Sequence, residues 1–261
     1  MSNNFGKTSK LMIKASVKNE QTVLEDVFFS APFKVMKPFY ENDDCMTIMC
    51  LTASAGVMSG DEQDFNIYVG DGAKLEFVSQ SYEKIHKMEE GFATRLANLH
   101  IGKDAYLYYN PLPTLPFKDS AFKSQLNVHL DDSSSQFILK EVLSAGRCSR
   151  GELFEYHYYH NHIQIFENKQ LIYVDNTRFE PQNMDLKGIG MYENYTHLGN
   201  LILCHISKDD DWFKKVRTFI DETPDIQGGI TLSSNNTIVI RVLGYQADQI
   251  DNLFNQLLLI E

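Results

Sequence analysis

The chain has 261 residues, of which 43% are hydrophobic, so it is long enough for one large or two small globular domains. The formal net charge of -11 argues against a nucleic-acid partner, which requires a basic surface, and against an anionic lipid surface. The N-terminal stretch lacks the apolar region of a signal peptide, and every apolar run is too short to cross a bilayer. We therefore expect a cytoplasmic protein without membrane contact.

Short strand-like runs rich in Val, Ile, Phe and Tyr fill the chain up to about residue 205. Three of them share a turn, a small residue and an alternating strand. Their small residues, Ala73, Ala105 and Ser135, recur at a nearly constant interval, and 166–174 is a candidate fourth member. A period of roughly 30 residues predicts a mainly β fold with a β-helix-like or solenoidal stack of strands. Chance reuse of the same turn-then-strand pattern is the alternative.

The pattern changes near the C-terminus. An amphipathic helix is predicted over 209–221, a hairpin with strands at 229–232 and 237–243 follows, and a second amphipathic helix ends the chain. The chain is predicted to be a single domain over 1–261. It would consist of a β body over about 11–195 and a small C-terminal α/β element over about 196–261, whose helices would cover an open sheet edge.

Two glycine-containing loops are the main candidates for chemistry. The loop "SAGVMSGD" (54–61) is either a phosphate-binding nest or a close backbone crossing, and no basic residue lies near it in sequence. The loop "AGRCSRGE" (145–152) is interpreted as an arginine–carboxylate clamp that fixes loop geometry, with catalysis as the alternative. Neither a GxSxG elbow nor an HExxH motif is present, so the sequence does not indicate an enzyme.

The stretch "FEYHYYHNHIQIF" (154–166) has three histidines within six positions. On a regular strand His160 and His162 share one face, while His157 points the other way with Ile163 and Ile165. The strand therefore offers at most the pair His160 and His162 to a metal ion, and a complete site needs ligands from elsewhere. An exposed polar strand is the favoured interpretation.

Four segments in order resemble the UreD or UreH family of urease accessory proteins, especially the UreH form. They are "TASAGVMSGD" (52–61), "FVSQSYEKIH" (77–86), "YYNPLPTLPF" (108–117) and "VLSAGRCSRGE" (142–152). The order of the segments carries the resemblance, which extends over nearly the whole chain from about residue 15.

Several positions of the family pattern are retained and others are not. Ala55 and Ser59 replace motif glycines, and Pro-Leu-Pro at 111–113 replaces the usual Pro-Gln-Glu, which removes the glutamate expected there. The retained residues that we assign to structural motifs are Gly56, Gly60, Gln80, Arg147 and Gly151. Asp61 and Glu152 are also retained, and they are the candidates for transient nickel contacts, with His160 and His162 as auxiliary ones.

The resemblance implies a non-enzymatic maturation factor with no permanently bound cofactor. Such a protein binds the accessory protein UreF, through it the GTPase UreG, and apo-urease, in a hetero-oligomer that delivers Ni²⁺ as cargo. Two alternatives remain open. One is a β-solenoid hydrolase or carbohydrate-acting enzyme that uses Asp61 and Glu152 as acid and base. The other is a nickel or zinc storage protein that uses His160 and His162.

Overall fold

The computed structural model describes residues 8–42, 45–233 and 235–260. Residues 1–7, 43–44, 234 and 261 of the predicted domain lie outside this part. Its first nine strands are β1 Ser9–Lys18, β2 Gln21–Phe29, β3 Phe33–Val35, β4 Phe39–Asn42, β5 Cys45–Thr52, β6 Glu62–Val69, β7 Lys74–Ser79, β8 Glu83–Ile85 and β9 Ala93–Ile101. The next nine are β10 Tyr106–Asn110, β11 Thr114–Pro116, β12 Ala121–Leu130, β13 Gln136–Ser144, β14 Tyr158–Glu167, β15 Gln170–Phe179, β16 His197–Cys204, β17 Ile226–Leu232 and β18 Thr237–Gly244. The helices are α1 Asp210–Glu222, α2 Ala247–Leu259 and a short 3-10 helix over Cys148–Arg150.

The strands form two sheets. The first has the order β15-β14-β12-β9-β6-β1-β2, and the second has the order β17-β18-β16-β13-β10-β7-β5-β3, with three short strands off this path. Strands β1, β6, β9, β12 and β14 are parallel to one another, as are β5, β7, β10 and β13. The prediction of a mainly β fold is therefore confirmed.

From β5 to β14 the chain alternates between the two sheets, and the long strand of each pass pairs with the long strand of the previous pass through that sheet. In the first sheet Glu62 pairs with Thr94. In the second sheet Tyr106 lies between Lys74 and Gln136. The repeat over Ala73, Ala105 and Ser135 therefore corresponds to in-register neighbours. The fourth member predicted at 166–174 is wrong, because β15 turns back antiparallel on β14 as a hairpin.

Repeated pairing also aligns like side chains on the outer face of the first sheet. The rings of Tyr68, His100, His129 and Phe166 stack in sequence, with centroids 4.7–5.2 Å apart. Beside them an amide ladder joins neighbouring asparagines: Asn127 donates to Asn98 at 3.0 Å. Such ladders stabilise strand register, since each side chain contacts an aromatic ring or an amide of the same kind on the next strand.

The C-terminal segment extends the second sheet and covers its outer face. Helix α1 begins after Asp209, whose side chain accepts a hydrogen bond from Trp212 N at 2.8 Å. The apolar residues of α1 and α2 pack against the outward side chains of β13, β16 and β18. The predicted hairpin and both helices are confirmed. The helices lie on a sheet face, however, because their apolar stripes match a row of outward Leu, Ile and Val side chains. The expectation that they cover a sheet edge is wrong.

The main hydrophobic core lies between the sheets. It is built by alternate residues of each strand, such as Phe65, Ile67 and Val69 of β6 opposite Leu75 and Phe77 of β7. No helix within the described residues is both long enough and apolar enough to span a membrane.

Candidate functional site

Polar side chains replace apolar ones at one level of the interior. In the first sheet Gln63, Arg95, Ser124, Asn161 and Thr177 stand in register on five adjacent strands. In the second sheet Glu141, Asn200 and Arg241 stand in register on three adjacent strands. These eight residues all line, or hydrogen-bond into, the space between the sheets, and we call them the polar layer. Because buried polar groups require partners, such a row is an unusual use of a β-protein interior.

Glu141 is the acidic residue at the centre of this layer. Its carboxylate accepts hydrogen bonds from the Asn161 side-chain amide at 3.1 and 3.3 Å. Burial in the interior raises the pKa of Glu141 to about 7, and the negative charge of Asp175 raises it further. The Asn161 hydrogen bond and the charges on Arg95 and Arg241 lower this pKa, each by less than burial raises it. Glu141 therefore changes its charge in the neutral pH range.

Two ion pairs flank Glu141 within the interior. Arg95 pairs with Glu83 and also donates to Gln63 Oε1 at 2.8 Å, and its guanidinium lies 5.0 Å from the Phe65 ring centroid. Burial lowers the pKa of Arg95. Toward the sheet edge Arg241 pairs with Asp175, and the side chain of Arg241 is 48% exposed. The second pair therefore lies where the layer reaches solvent.

The polar layer borders a narrow internal cavity of about 110 Å³, which has room for a few water molecules. Ala55, Tyr82 and Lys84 line this cavity and also a wider surface depression of about 750 Å³. The depression is bordered as well by Arg147 and Cys148. The cavity thus adjoins this depression at one side, and the half-exposed Arg241 lines it as well.

The loop over 54–61 proves to be a close backbone crossing. Gly56 has φ +143°, and a Cβ there would lie 2.3 Å from the Lys84 carbonyl oxygen. Asp61 Oδ2 accepts a hydrogen bond from Met58 N at 2.8 Å, and Gly60 has φ +79° in the same turn. The Asp61 carboxylate therefore closes its own turn and lines neither the cavity nor the depression.

The loop over 145–152 is held by the predicted clamp. Arg147 and Glu152 form a two-pronged ion pair in which Arg147 Nε donates to Glu152 Oε2 at 2.7 Å. The Arg147 hydrogen bond lowers the pKa of Glu152. Gly151, with φ +77°, ends the 3-10 helix between them. Gln80, the other motif residue, is exposed, and its backbone N–H donates to the Cys50 carbonyl oxygen at 3.0 Å.

The histidine strand follows the predicted parity. His160 and His162 point outward from β14, with ring centroids 6.4 Å apart, and His160 Nε2 lies 2.7 Å from Asn176 Oδ1. Asn161 between them is buried and belongs to the polar layer. His157 precedes the strand and lies half-buried near Gln182, so strand parity does not apply to it. Across the described parts of the chain, no three His, Cys, Asp or Glu side chains are grouped to hold a metal ion.

Sequence reasoning missed Glu141, Asn200 and Arg241. The available signal was weak: Glu141 stands at an inward position among Phe137, Leu139 and Leu143 in a run that is apolar on both faces. Asn161 was visible as the polar residue on the apolar side of the histidine strand, and it marked the layer.

The fold and the site together define a two-sheet β protein with a charged interior cavity. The chain matches a family model described as UreD urease accessory protein over residues 7–260. It is 37% identical to "Urease accessory protein UreD" of Acetivibrio thermocellus over 97% of each chain. It is also 37% identical to "Urease accessory protein UreH" of Helicobacter pylori strain P12, over 92% of this chain and 90% of that one. The chain therefore belongs to the UreD family of urease accessory proteins.

Proposed function

We propose that the chain is a non-enzymatic maturation factor that delivers nickel to the urease active site. It would bind a UreF-type accessory protein, through it a UreG-type GTPase, and apo-urease, as part of a cytoplasmic hetero-oligomer. Family membership over nearly the whole chain supports the accessory role. Nickel is cargo in this proposal and not a resident cofactor.

One observation carries the nickel part of the proposal. Glu141, Asn161 and Asn200 face an internal cavity that adjoins a surface depression at Ala55 and Lys84. Nickel accepts oxygen and nitrogen donors, and a protein that releases its cargo must hold it through few strong ligands. One carboxylate among amides and water is a donor set of this kind.

The four candidates from the sequence remain proposed transient contacts. Asp61 would have to exchange its hydrogen bond to Met58 for the metal, and Glu152 would have to leave Arg147. His160 and His162 lie on the outer face of β14, where His160 would have to exchange its contact with Asn176 for the metal or bind through its other ring nitrogen.

We also propose that the β body is a solenoidal stack of coils. The parallel pairing of strands at intervals of roughly 30 residues, alternating between two sheets, supports this description. In such a stack neighbouring strands hold the residues of the polar layer in register, which is how the layer spans the interior.

The hydrolase alternative is less favoured by the site. A general acid requires a raised pKa, whereas Arg147 lowers the pKa of Glu152. The storage alternative depends on His160 and His162, and calorimetry on a variant that lacks both tests it directly.

Co-expression tests the proposed function. We expect the chain to elute with a UreF-type protein in size-exclusion chromatography, and we expect its deletion to abolish nickel-dependent activation of urease. Separate elution together with unchanged urease activation would refute the proposal.

A further inference from the structure

The main paths of the two sheets end at four edge strands, and three of these edges carry features that oppose pairing with another chain. Strand β2 has a register shift against β1 and carries Glu25 and Asp26. Strand β15 has a register shift against β14 and carries Asp175 and Arg178. Strand β3 has only three residues. Bulges, charges and short length are the means by which edge strands avoid edge-to-edge association.

Strand β17, at the remaining edge, has none of these features. It pairs with β18 in unbroken register from Ile226 to Leu232, and its sequence, IQGGITL, contains neither a charged residue nor a proline. Leu232 is 51% exposed, and Gln227 and Thr231 are exposed as well. A regular, uncharged edge of this length is a template on which another strand can form.

The backbone groups of β17 that face away from β18 have no partner strand among the described residues. At the hairpin turn Ser233 N donates to the Thr237 carbonyl oxygen at 2.9 Å, which is the first rung between β17 and β18. Since rungs fall on every second residue of an antiparallel pair, the N–H and C=O groups of Gln227, Gly229 and Thr231 point toward β18. Those of the alternate residues point outward. The outward residues are Ile226, Gly228, Ile230 and Leu232.

The sequence of β17 is self-complementary about Gly229. When two copies of the strand run antiparallel with Gly229 opposite Gly229, every outward residue meets an outward residue, so each such pair can exchange two N–H···O=C bonds. Opposed side chains also match, because apolar or glycine residues meet each other on one face and polar residues meet on the other. The opposed pairs are Ile226 with Leu232, Gln227 with Thr231, and Gly228 with Ile230.

We propose that β17 pairs with β17 of a second copy of this chain, antiparallel about a two-fold axis at Gly229, so that the second sheet continues from one copy into the other. The contact is isologous and therefore closes as a dimer. Because Gly228 has no side chain, Ile230 of the second copy has room beside it. The proposal goes beyond the proposed function, since it requires neither nickel nor another protein.

The charges around β17 permit this contact. Asp225, which precedes the strand, comes opposite Ser233 of the second copy and not opposite another acid. On α1, which packs beside β17, Lys215 is paired with Asp211 of the same helix. The net charge of -11 on each copy opposes association, and salt screens it over about 8 Å at physiological ionic strength. A short strand contact of this kind predicts a dissociation constant of roughly 10–100 µM, which falls as salt is added.

Sedimentation velocity of the purified full chain over a range of concentrations tests the dimer. The variant Leu232→Lys places an ammonium opposite the apolar Ile226 of the second copy, and lysine at a sheet edge opposes pairing. We expect it to raise the dissociation constant by at least ~10-fold. Leu259→Lys is the matched control, because Leu259 is 80% exposed near the end of α2, outside β17. It should dimerise as the wild type does, and both variants should keep the wild-type circular dichroism spectrum.

A cysteine on the axis tests the register. A Cβ on Gly229 meets nothing within 4 Å, so Gly229→Cys fits the strand. In the proposed pairing its Cα lies about 4.5 Å from that of its copy, within the range of a disulfide. We expect a disulfide-linked dimer on mild oxidation with oxidised glutathione, seen on a non-reducing gel. Thr231→Cys is the control, because it would lie roughly 13 Å from its copy and should not cross-link. The wild type, whose cysteines are free thiols, gives the background.

Three results would overturn the proposal. The first is a wild type that stays monomeric at all concentrations, with no cross-link in Gly229→Cys. The second is a dimer that Leu232→Lys leaves unchanged, or cross-linking of Thr231→Cys equal to that of Gly229→Cys, since either places the contact elsewhere. The third is a monomer whose binding to a UreF-type protein is weakened by Leu232→Lys, which would assign the edge to a strand of that partner.

Discussion

Lys140 and Glu141 are consecutive residues of β13, and they lie on opposite faces of the same sheet. Lys140 is 4% exposed by its side chain and pairs with Asp251 of α2 at 2.6 Å, with Asn255 Oδ1 at 3.2 Å as a second acceptor. Glu141 faces the interior cavity without a cationic partner among the described residues. A buried charge with its partners fixes how two elements pack, whereas a buried charge without one remains available for binding. The two faces of one strand thus separate structural from functional use of charge.

Removal of Asp251 should have the largest effect on stability, because it takes away the carboxylate partner of the buried Lys140 ammonium. We expect Asp251→Ala to lower the free energy of unfolding by ~3 kcal/mol, since it leaves a buried ammonium beside Asn255 and the Tyr108 ring without its carboxylate partner. Urea denaturation measures the change. Asp211→Ala, which breaks the exposed pair with Lys215, is the control and should change stability by less than ~0.5 kcal/mol. Equal losses of stability in the two variants would show that the buried pair contributes no more than the exposed one.

Glu141→Gln should stabilise the protein, with a pH dependence of defined sign. The pKa of Glu141 rises from 4.5 to about 7 on folding, so the folded state is penalised for ionisation as pH rises from about 4.5 through 7. The gain in the variant should be near zero below about pH 4 and approach ~3 kcal/mol above roughly pH 8, at about 1.36 kcal/mol per pKa unit. Thermal unfolding at several pH values in the presence of a chelator measures this gain. A gain that is the same at all pH values would show that Glu141 is not neutralised by folding.

The second sheet should tolerate no added side-chain volume at Gly199, where helix α2 packs against its outer face. A Cβ on Gly199 would lie 2.4 Å from Ile250 Cγ2 and 2.8 Å from Phe254 Cζ. We expect Gly199→Ala to destabilise the chain by ~1–3 kcal/mol through displacement of α2. Gly229→Ala on β17, where a Cβ meets nothing within 4 Å, is the matched control and should be neutral or slightly stabilising. Denaturant midpoints of the two variants should differ clearly.

The Arg147–Glu152 clamp should have the smallest effect. Its side chains are 27% and 18% exposed, so solvent screens the pair, and Glu152→Gln should cost about 1 kcal/mol at neutral pH. Because Arg147 lowers the pKa of Glu152, this contribution is present above the unfolded pKa and is lost as pH falls through the folded one. The difference between variant and wild type should therefore vanish in acid. A difference that persists at low pH would assign the effect to packing instead.

The sequence predicted elements whose pattern is local. The i, i+3, i+4 apolar spacing gave α2, and strand parity placed His160 outside and Ile163 inside. The nearly constant interval between Ala73, Ala105 and Ser135 predicted which strands are neighbours, because these three residues stand in register on parallel strands. The family resemblance came from ordered motifs and agrees with the comparisons.

The interior site depends on contacts that no local pattern carries. Glu141, Asn161 and Asn200 are far apart in the sequence, and only the pairing of β13 with β16 and the packing of the two sheets bring them together. Both faces of β13 are apolar, one against the core and one against α2, so alternation did not reveal which way Glu141 points. Asp61 and Glu152 were noticed for their place in motifs, and both are occupied with holding loops.

The five polar-layer residues of the first sheet, from Gln63 to Thr177, stay in register only if the strands that carry them keep their lengths. Each member is brought to its place by the length of its own strand, so a single insertion inside β9, β12 or β14 would turn that strand's apolar side chains away from the core beyond it. An insertion in the turn over 102–105 would leave the row intact. Natural variation in the length of this protein should accordingly collect in its turns and avoid those strands.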